Sequence, residues 1–247
     1  MKYLYENPLI EGIIKSRPNR FIMMVEVNGE VHKCHCPSTG KIGSITFEEI
    51  PCLVSYNPAP NRKTQYTVEA FSLDPVSPKD KNWIGINQTK VNSYIDFFIK
   101  NNCLTNMTGQ VEKVKKEVKF NESRLDFLIN EKNYAEVKTL LRDIPCEDHP
   151  KYKKYTGKFD SFERLSRHYS DIAKSLEDDS KAFFIVCFTY DARPFDPPIP
   201  NNDNSIKFAE VIKDATLKGV ERWQINLKFN KDGVELLDYF NLDEVNA

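Results

Sequence analysis

Residues 117–138, EVKFNESRLDFLINEKNYAEVK, decide how the rest of the chain is read. The stretch divides into two strands. Val118, Phe120, Leu125, Phe127 and Ile129 mark the first, with room for a turn at Asn121–Ser123. The polar run Asn130-Glu131-Lys132-Asn133 breaks it, and Tyr134–Leu140 resumes an extended pattern. Residues i and i+2 of a strand share a face, so Glu136 and Lys138 project side by side. Hairpin pairing would bring Asp126 next to them. Two carboxylates suit a hard divalent cation, and a neighbouring lysine suits a water that must be oriented or deprotonated. Phosphodiester hydrolysis needs these parts: neutralised phosphoryl oxygens and an activated water. The plainer alternative is a structural ion pair on a solvated sheet face, and spacing alone favours it.

Composition narrows the classes. The chain has 247 residues, enough for one large or two ordinary domains. Hydrophobic residues at 40% and charged residues at 29% fit a globular protein with a real core. No apolar run approaches the roughly 18 residues of a membrane span, and the first twelve residues, with Glu6 and Glu11, do not read as a signal peptide. A cytoplasmic protein without a membrane partner is the expectation. Cysteines 34, 36, 52, 103, 146 and 187 form no CxxC pair, so reduced thiols are expected rather than zinc ligands. Net charge is −1, which does not mark a strong polyanion binder, although Arg17/Arg20 and Arg62/Lys63 form small basic clusters. Neither GxGxxG nor GxxxxGK[ST] is present.

The N-terminal part reads as about five short strands. Phe21–Val27 and Val31–Cys36 flank Asn28-Gly29, the strongest hairpin signal in the chain. Cys52–Tyr56 and Thr64–Phe71 flank a Pro/Asn loop that ends in Arg62 and Lys63. A small barrel of the OB type is the expectation. Leu73–Lys81 reads as a boundary, which gives a barrel over 1–82 and a mixed α/β domain over 83–247. In the second part, Trp83–Ile86 is a brief strand and Asn87 a candidate helix cap. Val91, Tyr94, Ile95, Phe98 and Ile99 make a core-facing helical stripe. The basic run Lys151–Tyr155, interleaved with tyrosines, reads more readily as a solvated loop than as a nucleic-acid contact. Asp160 and Glu163 open a helix whose apolar face includes Leu165, Tyr169 and Ile172 and which also carries Arg164 and His168. Ala182–Tyr190 reads as a strand buried on both faces. Ile206, Ala209, Ile212 and Ala215 mark a last helix, and Trp223, Ile225, Leu227 and Phe229 a last strand.

Asp126-x9-Glu136-x-Lys138 resembles the D…ExK core of the restriction-endonuclease-like, or PD-(D/E)XK, nuclease fold. Its flanks, SRLDFLI and YAEVKTL, resemble those of the sugar fermentation stimulation protein family (SfsA). So do Leu9–Gly12 with Pro18–Phe21, His35-Cys36-Pro37-Ser38-Thr39-Gly40 (similar to HCPNTG), Asn61–Lys63, Tyr66–Glu69, and Glu163-Arg164 with His168 (similar to ERGQKH). The resemblance implies an α+β chain: an OB-like barrel followed by a PD-(D/E)XK nuclease-like α/β domain. It implies a DNA- or RNA-binding protein, with Mg²⁺ or Mn²⁺ held by Asp126 and Glu136 and Lys138 as the catalytic lysine. Glu117 is a third candidate acid, and Arg20, Arg62, Lys63, Arg164 and His168 are candidate nucleic-acid contacts. Two other functions stay open: a non-catalytic DNA-binding regulator that keeps the fold, and an oligosaccharide-binding barrel.

Overall fold

A computed structural model describes residues 1–38, 40–77, 79–120, 123–141, 144–154, 163–177, 179–196 and 203–245, the side chains of residues 163 and 164 excepted. The first strand, β1 (Lys2–Leu4), is followed by β2 (Ile10–Asn19), β3 (Ile22–Val27), β4 (Glu30–His35), β5 (Ile50–Tyr56) and β6 (Tyr66–Ser72). The last five form a ring in the order β4-β3-β2-β5-β6, and parallel pairing of β4 with β6 closes it. This is the expected OB-like barrel. Asn28 and Gly29 take φ of 52° and 86° between the pair Val27↔Glu30, as a two-residue hairpin with positive φ at both central positions requires. Ile14, Met23, Val25, Cys34, Val54 and Val68 are inaccessible to water in the core. Burying each of the larger ones is worth about 1.5–3 kcal/mol.

The chain continues through β7 (Trp83–Gly85), a short 3-10 turn at Gln88–Lys90, α1 (Val91–Lys100), α2 (Thr105–Thr108), β8 (Val114–Phe120), β9 (Ser123–Ile129) and β10 (Asn133–Thr139). Then come α3 (Glu163–Ala173), β11 (Ala182–Phe188), α4 (Asp203–Leu217), β12 (Val220–Phe229), β13 (Gly233–Asn241) and α5 (Leu242–Val245). β8, β9 and β10 are antiparallel, β10, β11 and β12 parallel, and β12, β13 and β1 antiparallel. β7 pairs with both β6 and β12, so the barrel wall runs into this second sheet.

β11 shows why the second sheet is covered on both sides. All seven of its residues are buried, and they alternate between two cores. Phe183, Ile185 and Cys187 pack with α1, whereas Phe184, Val186 and Phe188 pack with α3 and α4. The Tyr169 ring of α3 stacks on Phe184 at 3.6 Å between centroids. An unbroken apolar run is what a strand between two parallel neighbours needs.

Several sequence expectations change. Residues 117–140 supply three strands, not two, because β8 begins at Val114 and separates from β9. As an exposed edge strand rich in Lys and Glu, β8 shows little apolar alternation. The α4 face is Ser205, Phe208, Ile212 and Ala215, with Ile206 46% exposed. Asn87 makes no side-chain capping bond; its amide goes to Glu69 instead. α2, β13 and α5 were not expected. The Asp160 cap, Tyr155 and the side chain of Arg164 lie outside the described residues.

The junction depends on a missing side chain. A Cβ at Gly85 would lie 2.4 Å from the Phe229 ring, which is itself only 1% exposed. Gly85→Ala is expected to lower stability by about 1–3 kcal/mol through overpacking, read from the midpoint of urea unfolding. An unchanged midpoint would show that this ring has room to move.

Candidate active site

Three elements converge at Glu136. The registers Ile129↔Asn133, Leu128↔Tyr134 and Phe127↔Ala135 of β9 and β10 continue to place Asp126 opposite Glu136. The ladder stops there because the Asp126 side chain takes over. Its Oδ2 accepts the Val137 amide at 2.7 Å, and its Oδ1 accepts the Asn92 amide of α1 at 2.8 Å. Glu136 is 1% exposed. Its Oε1 accepts from Lys138 Nζ at 2.5 Å and from His168 Nδ1 of α3 at 2.5 Å. A hydrogen bond from Ser123 to Asp171 ties α3 to the start of β9.

Among the described residues, two polar atoms of this cluster are buried without a partner: Oε2 of Glu136 and Nε2 of His168. The cluster therefore offers an open carboxylate oxygen, an open imidazole nitrogen and an ammonium around one strand.

The two carboxyls titrate in opposite directions. Burial raises the pKa of Asp126, and the Glu136 charge adds to this, against the Val137 amide, Lys138 and Asn92. Burial also pushes Glu136 up, but the His168 hydrogen bond and Lys138 outweigh it and hold that carboxyl below the ordinary glutamate range. The environment thus separates two chemically similar groups.

The other sequence candidates lie elsewhere. Glu117 has φ of 51° between the pairs Lys116↔Phe127 and Val118↔Leu125, and its exposed carboxylate pairs with Arg124 at 2.9 Å. Arg20 is exposed, with its guanidinium 4.8 Å from the Phe21 ring. Arg62 donates to Thr67 at 2.7 Å, and Lys63 is exposed. His168, read as a phosphate contact, sits on Glu136. Asn92, which holds Asp126, was missed: it falls off the apolar stripe of α1, and nothing in its local sequence marks it.

A closed five-stranded OB-like barrel continuous with a helix-flanked mixed sheet that carries a buried carboxylate–lysine strand defines a two-part barrel and α/β protein. The chain belongs to the sugar fermentation stimulation protein (SfsA) family. Residues 16–86 match the SfsA N-terminal OB domain, and residues 89–233 match the sugar fermentation stimulation protein RE domain. A sugar fermentation stimulation protein homolog of Prochlorococcus marinus (strain NATL1A) is 30% identical over 87% of this chain and 85% of the relative. A homolog from Synechococcus sp. (strain JA-2-3B'a(2-13)) is 25% identical over 95% and 93%. The solved structure of Pyrococcus furiosus SfsA in complex with Ca²⁺ superposes with a TM-score of 0.67 over 97% of this chain and 98% of that one, at 22% identity.

The raised Asp126 carboxyl has a consequence for stability. A carboxyl whose folded pKa is raised costs stability as pH rises from its ordinary 3.8 through the folded value. Asp126→Asn removes that cost. In EDTA, the variant is expected to gain on the wild type in urea unfolding as pH is raised from 3 to 7. A stability difference that does not change with pH would contradict this.

Proposed function

We propose that the protein is a metal-dependent phosphodiester hydrolase acting on DNA or RNA, built on the PD-(D/E)XK nuclease pattern. The observation that carries the reading is the buried, unpartnered Glu136 Oε2, on a strand whose register sets Asp126 across from it. Among the described residues no cluster of three or more His, Cys, Asp and Glu side chains can hold a metal ion. Mg²⁺ does not need one: it keeps several waters and commonly takes one or two carboxylates. The donors here are hard oxygens, which fits Mg²⁺ or Mn²⁺. Pyrococcus furiosus SfsA was solved in complex with Ca²⁺, another divalent cation that takes oxygen ligands, and this is consistent with the reading.

Asp126 and Glu136 would hold the cation, whose contribution is Lewis acidity toward a phosphoryl oxygen and a bound water. Lys138, 22% exposed beside Glu136, orients the attacking water and sets its ammonium against the charge of the phosphoryl group. His168 fixes the Glu136 carboxylate from the opposite element and keeps one of its two oxygens occupied. Asn92 and the Val137 amide fix Asp126, each bonding a different oxygen of its carboxylate. The six free thiols fit a reducing, cytoplasmic setting. Among the described residues no helix is long and apolar enough to cross a membrane.

The test is cleavage of labelled single- and double-stranded DNA and RNA with Mg²⁺ or Mn²⁺. Lys138→Ala is expected to slow cleavage by about 10²–10⁴-fold with Mn²⁺ affinity, read by EPR, nearly unchanged. Glu136→Ala is expected to lose cleavage and most Mn²⁺ binding. Nucleic-acid binding by the wild type with no cleavage under either metal would leave a binding protein in place of a hydrolase.

A further inference from the structure

A second site lies on the other side of the segment that holds Asp126. A cleft of about 940 Å³ opens between the barrel, the N-terminal arm and the start of α1. Glu69 of β6 is its polar centre. This carboxylate is 1% exposed and accepts from Ser55 at 2.5 Å, Lys90 at 2.7 Å and Asn87 at 2.8 Å. Tyr94, 1% exposed, also lines the cleft, with the Tyr5 ring beside it at 6.5 Å between centroids.

A run of rings leads into this cleft. His32 and Tyr66 are 5.0 Å apart, and Tyr66 and Tyr56 are 5.1 Å apart. Tyr56, at the cleft mouth, is 51% exposed. Arg62, also lining the cleft, spends its one described side-chain hydrogen bond on the neutral Thr67 hydroxyl and reaches no carboxylate among the described residues. Exposed Lys63 follows it.

The segment from Asn87 to Asn92 joins this cleft to the candidate active site. Asn87, Thr89 and Lys90 face the cleft. Gln88 donates to the Thr139 carbonyl at the end of β10, and Asn92 donates to Asp126. A chain lying in the cleft therefore meets Lys90, two residues before the Asn92 that holds Asp126.

Resting on the nucleic-acid reading above, we infer that this cleft and its ring run bind single-stranded nucleic acid, with unpaired bases on Tyr56 and Tyr66 and the phosphodiester backbone against Arg62 and Lys63. Aromatic faces accept bases only when these are unstacked, as in a single strand. Uncompensated guanidinium and ammonium groups beside the rings select a phosphodiester over a neutral sugar chain.

Fluorescence anisotropy of fluorescein-labelled oligothymidylate, twelve nucleotides long, tests this in EDTA, where binding is read apart from cleavage. Tyr56→Ala and Tyr66→Ala are each expected to weaken binding about tenfold, with Tyr56→Phe within about twofold of wild type. Arg62→Ala is expected to lower the slope of log affinity against log salt by about 0.7. Far-UV circular dichroism melts keep folding separate from binding, and Tyr56, half exposed, can be truncated without opening the core. Three results would overturn the inference: no binding by the wild type, both alanine variants within twofold of it, or displacement of the oligonucleotide by maltohexaose. Tyrosine-dependent binding without metal-dependent cleavage would remove the hydrolase reading alone. Cleavage with tyrosine-independent binding would remove the cleft assignment alone.

Discussion

A carboxylate that is 1% exposed cannot stay ionised in an apolar sheet without partners, because burying an unpaired charge costs several kcal/mol. Glu136 imposes that constraint here, and two elements answer it. β10 supplies Lys138 two residues on. α3 must dock on the sheet to supply His168, and the stacking of Tyr169 on Phe184 fixes that docking. β9 must hold its register for Asp126 to reach the Val137 amide. Each partner is set by packing elsewhere, so the polar cluster also specifies how the domain goes together. What remains after this pairing is one open carboxylate oxygen and one open imidazole nitrogen.

The two halves of the molecule are sewn together at the same place. Ser38 of the barrel donates to the Ile86 carbonyl at 2.5 Å, and Arg17 donates to the Ser38 carbonyl at 2.9 Å. The His35–Gly40 motif is thus a fastening between barrel and second sheet, since it bonds to the segment that carries Gln88, Lys90 and Asn92. Lys90 reaches back to Glu69 of the barrel, and Asn92 reaches forward to Asp126. This short segment therefore carries a polar contact to each half.

Much of this was legible in the chain and some was not, for physical reasons. Alternation and turn chemistry located the barrel, because Asn28-Gly29 and the apolar strand faces are local signals. The i, i+2 spacing of Glu136 and Lys138 put them on one face, and the resemblance brought Asp126 to them. β8 was obscured because an edge strand of lysines and glutamates lacks an apolar rhythm. β13 was obscured because Glu235, Leu236, Leu237 and Asp238 do not alternate, and a register shift in its pairing with β12 falls beside them. Asn92 and the Glu69 network were invisible for a different reason: their meaning comes from contacts 14 to 34 residues away in sequence. His168 was read on its helix but its bond to Glu136 was not, since helical spacing says which face a residue lies on and not what that face meets.

Diffraction from crystals soaked in Mn²⁺, collected at the manganese absorption edge, tests the centre of this picture most directly. An anomalous peak at the Asp126 and Glu136 carboxylates is the expected result. No peak at these carboxylates, with Lys138 and His168 still closed on Glu136 at saturating Mn²⁺, would contradict it and leave the cluster as a structural ion pair.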